Sequence, residues 1–287
     1  MQNIIDDGWA TLGGYRFSGR LTADTHRPAA AGSGRLRSTY RTLRMLLASS
    51  ADGPVNWSVG GLHWATRADE HGYWSLSANQ PLPLSPGWYP ISSTIPHSSQ
   101  AHVLVPDPHN QVGIISDIDD TILISDIFSK RKLVKHALTL PPEARLVVSG
   151  MPAFYRQLLA VNPNPALSPV FYVSATPRQL TDSLRRFLAR HQFPQGVLML
   201  KEVSRHSADP LFKQQAYKLE RITQILHAFP EVKFVLIGDD GERDPATYAE
   251  LQQQFPDRIE SVWIRHVMPG PASELSAGQR YVAPLSV

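Results

Sequence analysis

Residues 112–121 read Val112-Gly113-Ile114-Ile115-Ser116-Asp117-Ile118-Asp119-Asp120-Thr121, and the reading of this stretch decides the fold. Val112, Ile114 and Ile115 form a short apolar run of the kind that makes a buried strand in a parallel sheet. The run gives way to Asp117, Asp119 and Asp120. Three carboxylates at the end of a strand repel one another and lose solvation unless a cation sits among them. A hard divalent ion held by oxygens, Mg²⁺ above all, is the usual remedy. The carboxyl ends of parallel strands are also where open α/β sheets place their ligand sites.

Towards the C-terminus, apolar runs alternate with helical patterns. Strands are expected at 112–116, 170–173, 197–200, 232–237 and 259–264, with helices near 152–161, 179–191, 216–228 and 245–254. Five strands with helical crossovers predict a doubly wound parallel sheet over residues 112–287. Two later junctions repeat the change from apolar strand to polar loop. In Val170-Phe-Tyr-Val-Ser-Ala-Thr-Pro177 the run ends in Ser174, and Pro177 is read as opening a helix. A hydroxyl and free backbone N–H groups there suit a phosphate oxygen, although serine also serves as an ordinary helix cap. In Phe234-Val-Leu-Ile-Gly-Asp-Asp-Gly-Glu-Arg-Asp-Pro245 a second run meets acids, at Asp239 and then Asp244. Lys218 lies early in the helix between these two segments. The residues alone do not choose between it and its neighbours Lys213 and Lys201.

The order Asp117-x-Asp119-x-Thr121 resembles motif I of the haloacid dehalogenase superfamily of phosphotransferases. Ser174 matches motif II, Lys218 motif III, and Asp239 with Asp244 the Gly-Asp-x-x-x-x-Asp form of motif IV. The resemblance implies that Asp117 is a nucleophile and Asp119 a general acid/base. It also implies that Thr121, Ser174 and Lys218 serve the phosphate. The implied cofactor is Mg²⁺, held by Asp117, the backbone carbonyl of Asp119, and Asp239, with Asp244 behind them. Around the motifs, Gly150-Met-Pro-Ala-Phe-Tyr155, Phe171-Tyr-Val-Ser-Ala-Thr-Pro177 and Gly238-Asp-Asp-Gly-Glu-Arg-Asp-Pro-Ala-Thr-Tyr248 look like the actin-patch type of phosphatidate phosphatase, a group related to lipins. That branch implies release of phosphate from phosphatidate to leave diacylglycerol. Two positions depart from its usual spelling: Thr176-Pro177-Arg178 stands where Ser-Pro-Trp is typical, and Asp240 where serine is. Asp240 and Lys213 are the residues that could take over an assigned role. Rival readings are a phosphatase of the same fold acting on soluble phosphomonoesters or nucleic-acid ends, and a non-enzymatic lipid-binding module. The second acid, Asp119, argues against the module, which gains nothing from two carboxylates so close.

Residues 1–105 lack the α/β alternation and read as a β-rich domain. Tyr15, Phe17, Gly19 and Leu21 recur at every second position of a strand-like stretch from Trp9 to Leu21. Further strands are expected at 54–59, 62–67, 72–76, 88–95 and 101–105. The turn Ala68-Asp69-Glu70-His71-Gly72 joins two of them into a hairpin that resembles one in transthyretin-like β-sandwich domains. Pro106-Asp-Pro-His-Asn-Gln111 is the linker. A helix carrying Leu36, Tyr40, Leu43 and Leu47 has Arg35, Arg37, Arg41 and Arg44 on its other faces. A second basic helix, from Phe128 to Leu138, holds Lys130, Arg131, Lys132 and Lys135. Both are either solvated faces or contacts for an anionic membrane surface.

Composition removes several classes. With no cysteine among 287 residues, disulfides, thiolate metal sites and a cysteine nucleophile are excluded. No apolar run approaches the roughly 18 residues that span a bilayer, and the N-terminus shows no basic segment leading into an apolar core. A formal charge of +3 is too mild to indicate nucleic acid. The expectation is a cytoplasmic protein with peripheral membrane contact, whose partner is a phosphorylated substrate.

Overall fold

The computed structural model describes residues 1–23, 49–95, 100–124, 146–201 and 214–283. Both basic helices and Lys213 lie outside these residues. The fold is α/β, with one mostly antiparallel sheet followed by one parallel sheet.

The first sheet holds β1 (Gln2–Ile5), β2 (Gly8–Thr11), β3 (Gly14–Thr22), β4 (Gly53–Val59), β5 (Leu62–Ala68), β6 (Tyr73–Ala78), β7 (Gly87–Ser93) and β8 (Ala101–Val105). Their order is β1-β3-β2-β8-β7-β4-β5, with β6 on the other edge of β3. Residues 9–21 are therefore a hairpin rather than one strand. Thr11 Oγ1 accepts from the amides of Gly13 and Gly14, which closes a tight turn at Leu12-Gly13. Nor do β5 and β6 form the expected hairpin ladder: β5 pairs with β4, and β6 with β3. Asp69 accepts from the amides of His71 and Tyr73, and Gly72 takes φ 78°. The chain turns a corner there, because the Leu21 amide donates to the Gly72 carbonyl and draws it towards β3. Seven strands lie on one hydrogen-bonded path, joined by β6 through β3, around a core in which Phe17, Trp57 and Trp74 are buried. The alternation in β4, where every second residue is buried, points Val55, Trp57 and Val59 inward.

The second sheet contains β9 (Val112–Ser116), β12 (Val170–Pro177), β13 (Val197–Lys201), β14 (Lys233–Asp239), β15 (Ile259–Arg265) and β16 (Gln279–Tyr281). A small ribbon, β10 (Leu123–Ile124) with β11 (Leu146–Val147), lies between the first two in sequence. The large sheet is parallel throughout, in the order β13-β12-β9-β14-β15-β16. Numbered within the sheet this is 3-2-1-4-5-6, which reverses direction between β9 and β14. The strand β16 was not legible as one, being three residues long.

Helices cover both faces. On one, α1 (Met151–Leu159) and α2 (Thr181–Arg190) bury Tyr155, Leu159, Leu184 and Phe187 against Ile114, Tyr172 and Val235. On the other, α3 (Gln214–Ala228) and α4 (Asp244–Gln254) bury Ile222, Leu226, Tyr248 and Leu251 against Ile115, Phe171 and Leu236. Adjacent strand residues thus serve opposite cores, which is why these strands read as continuous apolar runs. Helix α2 begins later than expected: Pro177 ends β12, and a short 3₁₀ turn at Arg178–Leu180 precedes the helix.

The two sheets touch. Trp9 packs edge-on to Phe171 with ring centroids 5.7 Å apart, and shares the second core with Leu104. The linker is anchored as well: the buried Asn110 donates to the Asn164 carbonyl at 2.6 Å, and the Asn162 side chain brackets the backbone of Val112.

Candidate active site

β9 delivers Asp117 to the point where the strand order reverses. The Asp117 amide donates to the Ile237 carbonyl at 2.8 Å, so the ladder with β14 continues one residue past the strand and sets Asp117 beside the Gly238–Asp239 corner. From behind, Ser116 Oγ donates to the Asp117 carbonyl and lies 2.5 Å from the Tyr155 hydroxyl. The chain then coils: the Ile122 amide returns to the Ile118 carbonyl, and Asp120 adopts φ 56°. Aspartate tolerates that left-handed angle better than most residues. Arg265, at the end of β15, donates to the Asp120 carbonyl and fixes the coil.

Asp117 is 2% exposed, and its Oδ1 lies 2.7 Å from Lys218 Nζ. The same ammonium donates to Asp244 Oδ1 at 2.6 Å and to Glu242 Oε2 at 3.0 Å. Asp239 Oδ1 accepts from the amides of Gly241 and Glu242, and Asp244 Oδ2 accepts from the Asp239 amide. Gly238 is required for this packing, since a Cβ there would stand 2.4 Å from Asp244 Oδ2. Three carboxylates therefore share one lysine, and a fourth, Asp239, lies beside Asp117 and Asp244. Burial works against the Lys218 charge, but Asp117, Asp244 and Glu242 outweigh it and hold the ammonium well above its ordinary range. Burial pushes the Asp117 carboxyl well up despite Lys218, and raises Asp244 likewise. Asp239 is pushed up to about 8, by burial first and by the Asp244 charge second.

An excess of acid over base of this kind is one that a bound cation would relieve. Carboxylate oxygens of Asp117, Asp239 and Asp244 all lie within 4.8 Å of one another. Asp117 Oδ2 is buried and has no hydrogen-bond partner among the described residues. The donors are all oxygen, which suits a hard divalent ion.

The side chain of Asp119 is not part of that group. Its Oδ2 accepts from Ser174 Oγ at 2.8 Å and from Thr176 Oγ1 at 2.9 Å, both on β12. Burial raises its carboxyl, and those two hydroxyls oppose the rise. Thr121 Oγ1 reaches Asp239 Oδ2 at 3.4 Å. The structure thus brings Asp117, Lys218, Asp239 and Asp244 together and sets Ser174 on Asp119. Asp240 turns away: it binds His266 Nδ1 and the amides of Val267 and Met268, which tie down the chain after β15.

Three residues of the site were missed in the sequence. Glu242 sat within the acidic loop without a role. Thr176 lies two residues beyond Ser174, and the two-residue period of a strand could have placed both hydroxyls on one side. Arg265 gave no signal, since only the sheet order brings β15 to the Asp120 carbonyl.

An acidic centre where a parallel sheet reverses its strand order is the layout of an α/β enzyme. The chain belongs to the phosphatidate phosphatase APP1 catalytic-domain family, whose model matches residues 112–266. Phosphatidate phosphatase APP1 of Saccharomyces cerevisiae is 33% identical over 177 residues, covering 61% of this chain and 28% of that protein. An uncharacterized protein of Schizosaccharomyces pombe is 29% identical over 160 residues, covering 55% of this chain and 26% of its own length. The chain thus spans little more than a quarter of these relatives. Among solved structures, a carbohydrate acetylesterase from Xanthomonas citri is similar at 11% identity and a TM-score of 0.30, covering 90% of this chain and 56% of that one; overlap this slight carries no argument.

Proposed function

We propose that residues 112–287 form a haloacid dehalogenase-type phosphatase domain, preceded by a sandwich-like β domain over residues 1–105. It hydrolyses phosphatidate to diacylglycerol through an aspartyl-phosphate and requires Mg²⁺. One observation carries the reading: Asp117 has one oxygen fixed on Lys218 while the other is buried without a donor, beside Asp239 and Asp244.

In this reading Asp117 attacks phosphorus, forming an O–P bond as the ester P–O bond breaks. Lys218 orients the nucleophile and offers positive charge to the phosphoryl oxygens, while the Ser174 hydroxyl, expected on the phosphate, donates to Asp119. Asp119 gives its proton to the departing glycerol oxygen, then takes one from the water that cleaves the aspartyl-phosphate. Thr121 supports the coil that carries both acids. Asp117, the backbone carbonyl of Asp119, and Asp239 would hold Mg²⁺, with Asp244 behind them. The ion neutralises the carboxylates and the charge of the phosphoryl group. Contact with an anionic membrane through the stretches Arg35–Arg44 and Lys130–Lys135 belongs to the same proposal. No helix among the described residues is long and apolar enough to cross a membrane.

The test is phosphate release from phosphatidate vesicles, a sugar phosphate and a phosphorylated nucleic-acid end, with Mg²⁺ and in excess chelator. Release from the vesicles in Mg²⁺, lost in chelator, is the expected result. Full turnover in chelator after dialysis would overturn the metal requirement, and preference for either soluble ester would overturn the lipid substrate.

A further inference from the structure

The two hydroxyls that hold Asp119 sit at the end of β12, just before a turn gripped by the N-terminal sheet. The register between β12 and β13 shifts between Ser174 and Pro177, so the strand is irregular where it supplies Ser174 and Thr176. Arg178 follows immediately. Its guanidinium donates to the Asp6 carboxylate and, at 3.2 Å, to Ser18 Oγ, while Ser18 Oγ donates to the same Asp6 oxygen at 2.6 Å. Asp6 lies between β1 and β2, and Ser18 in β3. Both members of the ion pair are buried, and the guanidinium carbon is 5.6 Å from the centroid of the Tyr73 ring. The helix after the turn is held too: Arg185 of α2 donates to Asp7 Oδ1 at 2.9 Å and to the Gln100 carbonyl. Asp7 Oδ1 also accepts from the His102 amide of β8 at 2.9 Å. Two neighbouring acids of the first sheet therefore fasten both the turn that follows Thr176 and the helix beyond it.

A buried ion pair adds little net stability, since desolvation offsets its attraction. What it does impose is direction, because the guanidinium fork accepts few geometries. Proton transfer is sensitive to such placement: donor and acceptor must come within about 3 Å, and a misplacement of about 1 Å costs on the order of 10² in rate.

We propose that Asp6 and Arg178 are positioning residues for the acid/base step, through which the N-terminal sheet sets where Ser174 and Thr176 hold Asp119. This rests on the reading of Asp119 as the general acid. When the P–O ester bond breaks, an alkoxide must take a proton from Asp119. A p-nitrophenolate leaves without one. An error in placing Asp119 therefore slows alkyl esters more than aryl esters.

The experiment compares the full chain with Asp6→Asn, Asp6→Leu/Arg178→Met, Arg178→Lys and Asp119→Asn, on p-nitrophenyl phosphate and a soluble short-chain phosphatidate. Asp6→Asn keeps the side-chain shape, and the double variant replaces the buried pair by apolar groups, a change that folds are known to accept. The alkyl-to-aryl ratio of kcat, taken on one preparation, is independent of the fraction that is folded. It is expected to fall roughly tenfold or more in Asp6→Asn and in the double variant, with KM nearly constant and part of the ratio kept in Arg178→Lys. A ratio that falls in Asp119→Asn but stays at the wild-type value in both pair variants overturns the link while leaving Asp119 as the acid. A ratio unchanged in Asp119→Asn overturns that assignment, and the link with it.

Discussion

The strands before Pro106 and those after it both enclose aromatic cores, but they treat charge differently. In the first sheet the buried acids Asp6 and Asp7 are each matched by an arginine. In the second, Asp117, Asp244 and Glu242 share Lys218, with Asp239 beside Asp117 and Asp244. The difference follows from topology. Antiparallel strands distribute their ends over both edges of a sheet, so acids at strand ends are kept apart. Six parallel strands bring every carboxyl end to one edge. Residues 55 and 118 positions apart, Asp119 with Ser174 and Thr121 with Asp239, then meet in one place. An unbalanced cluster there is costly to bury, and a bound cation would lower that cost.

The largest effect should come from removing the carboxylate whose Oδ2 has no donor among the described residues. Asp117→Asn keeps the volume and loses the nucleophile. Phosphate release is expected to fall by about 10⁴ or more, with the thermal transition kept or raised, since one buried acid is gone. Substantial residual turnover would place the cluster in the same class as the paired acids of the first sheet. Trapping an aspartyl-phosphate on another residue would do so equally.

Lys218→Met tests the balance from the other side. The variant leaves Asp117, Asp244 and Glu242 without the cation they share, and breaking a buried pair typically costs about 3–5 kcal/mol. A domain of this size should then melt roughly 6–20 °C lower in chelator. Added Mg²⁺ is expected to recover part of the loss, because it supplies charge to the same oxygens. If the melting point is equal with and without Mg²⁺, the acids are structural and the proposed metal site is wrong.

Much of the second sheet was legible because its strands are buried on both faces and read as unbroken apolar runs that stop at acids. Val112–Ser116 and Phe234–Asp239 could hardly be read otherwise. The first sheet was less legible. Its strands alternate, and alternation does not say which partner a strand chooses, so β6 was assigned to β5 although it pairs with β3. The Thr11–Gly14 turn was overlooked because Gly13 and Gly14 interrupt a pattern that resumes in phase at Tyr15. Within the site, Asp117, Asp239 and Asp244 announced themselves by type and place. Thr176, Glu242 and Arg265 act only through contacts across the fold, and the Arg178–Asp6 pair joins residues 172 positions apart.

A packing change in the first sheet sharpens the contrast between stability and chemistry. Trp57 is 2% exposed and stacks on Trp64 with ring centroids 4.6 Å apart. Trp57→Ala should cost about 3–5 kcal/mol, a loss as large as that of Lys218. Its ratio of alkyl-ester to aryl-ester turnover should nonetheless match wild type, since Trp57 packs on Phe17, Trp64 and Trp74 rather than on the Asp6–Arg178 pair itself. Both rates measured on the folded fraction, with denaturant midpoints alongside, decide this. A changed ratio would mean that the whole sheet, and not the Asp6–Arg178 pair, governs Asp119.

The smallest effect is expected from a bond of the same chemical type as those at Lys218. Arg67 Nη2 lies 3.2 Å from Asp52 Oδ2 on the first sheet, a separation close to the 3.0 Å between Lys218 and Glu242. The surroundings differ entirely, with side-chain exposures of 69% and 68% for the first pair against 4% and 20% for the second. Water screens an exposed pair and solvates either partner when the other is removed, so such pairs contribute about 0.2–1 kcal/mol. Arg67→Ala should therefore shift the denaturant midpoint barely, and less still at high salt, where the Debye length falls to about 3 Å at 1 M. Lys218→Met should remain costly at the same salt, because dissolved salt screens a buried pair much less than an exposed one. A loss above about 2 kcal/mol for Arg67→Ala would show that distance, and not burial, sets the worth of a pair in this fold, and the contrast between the two sheets would lose its physical basis.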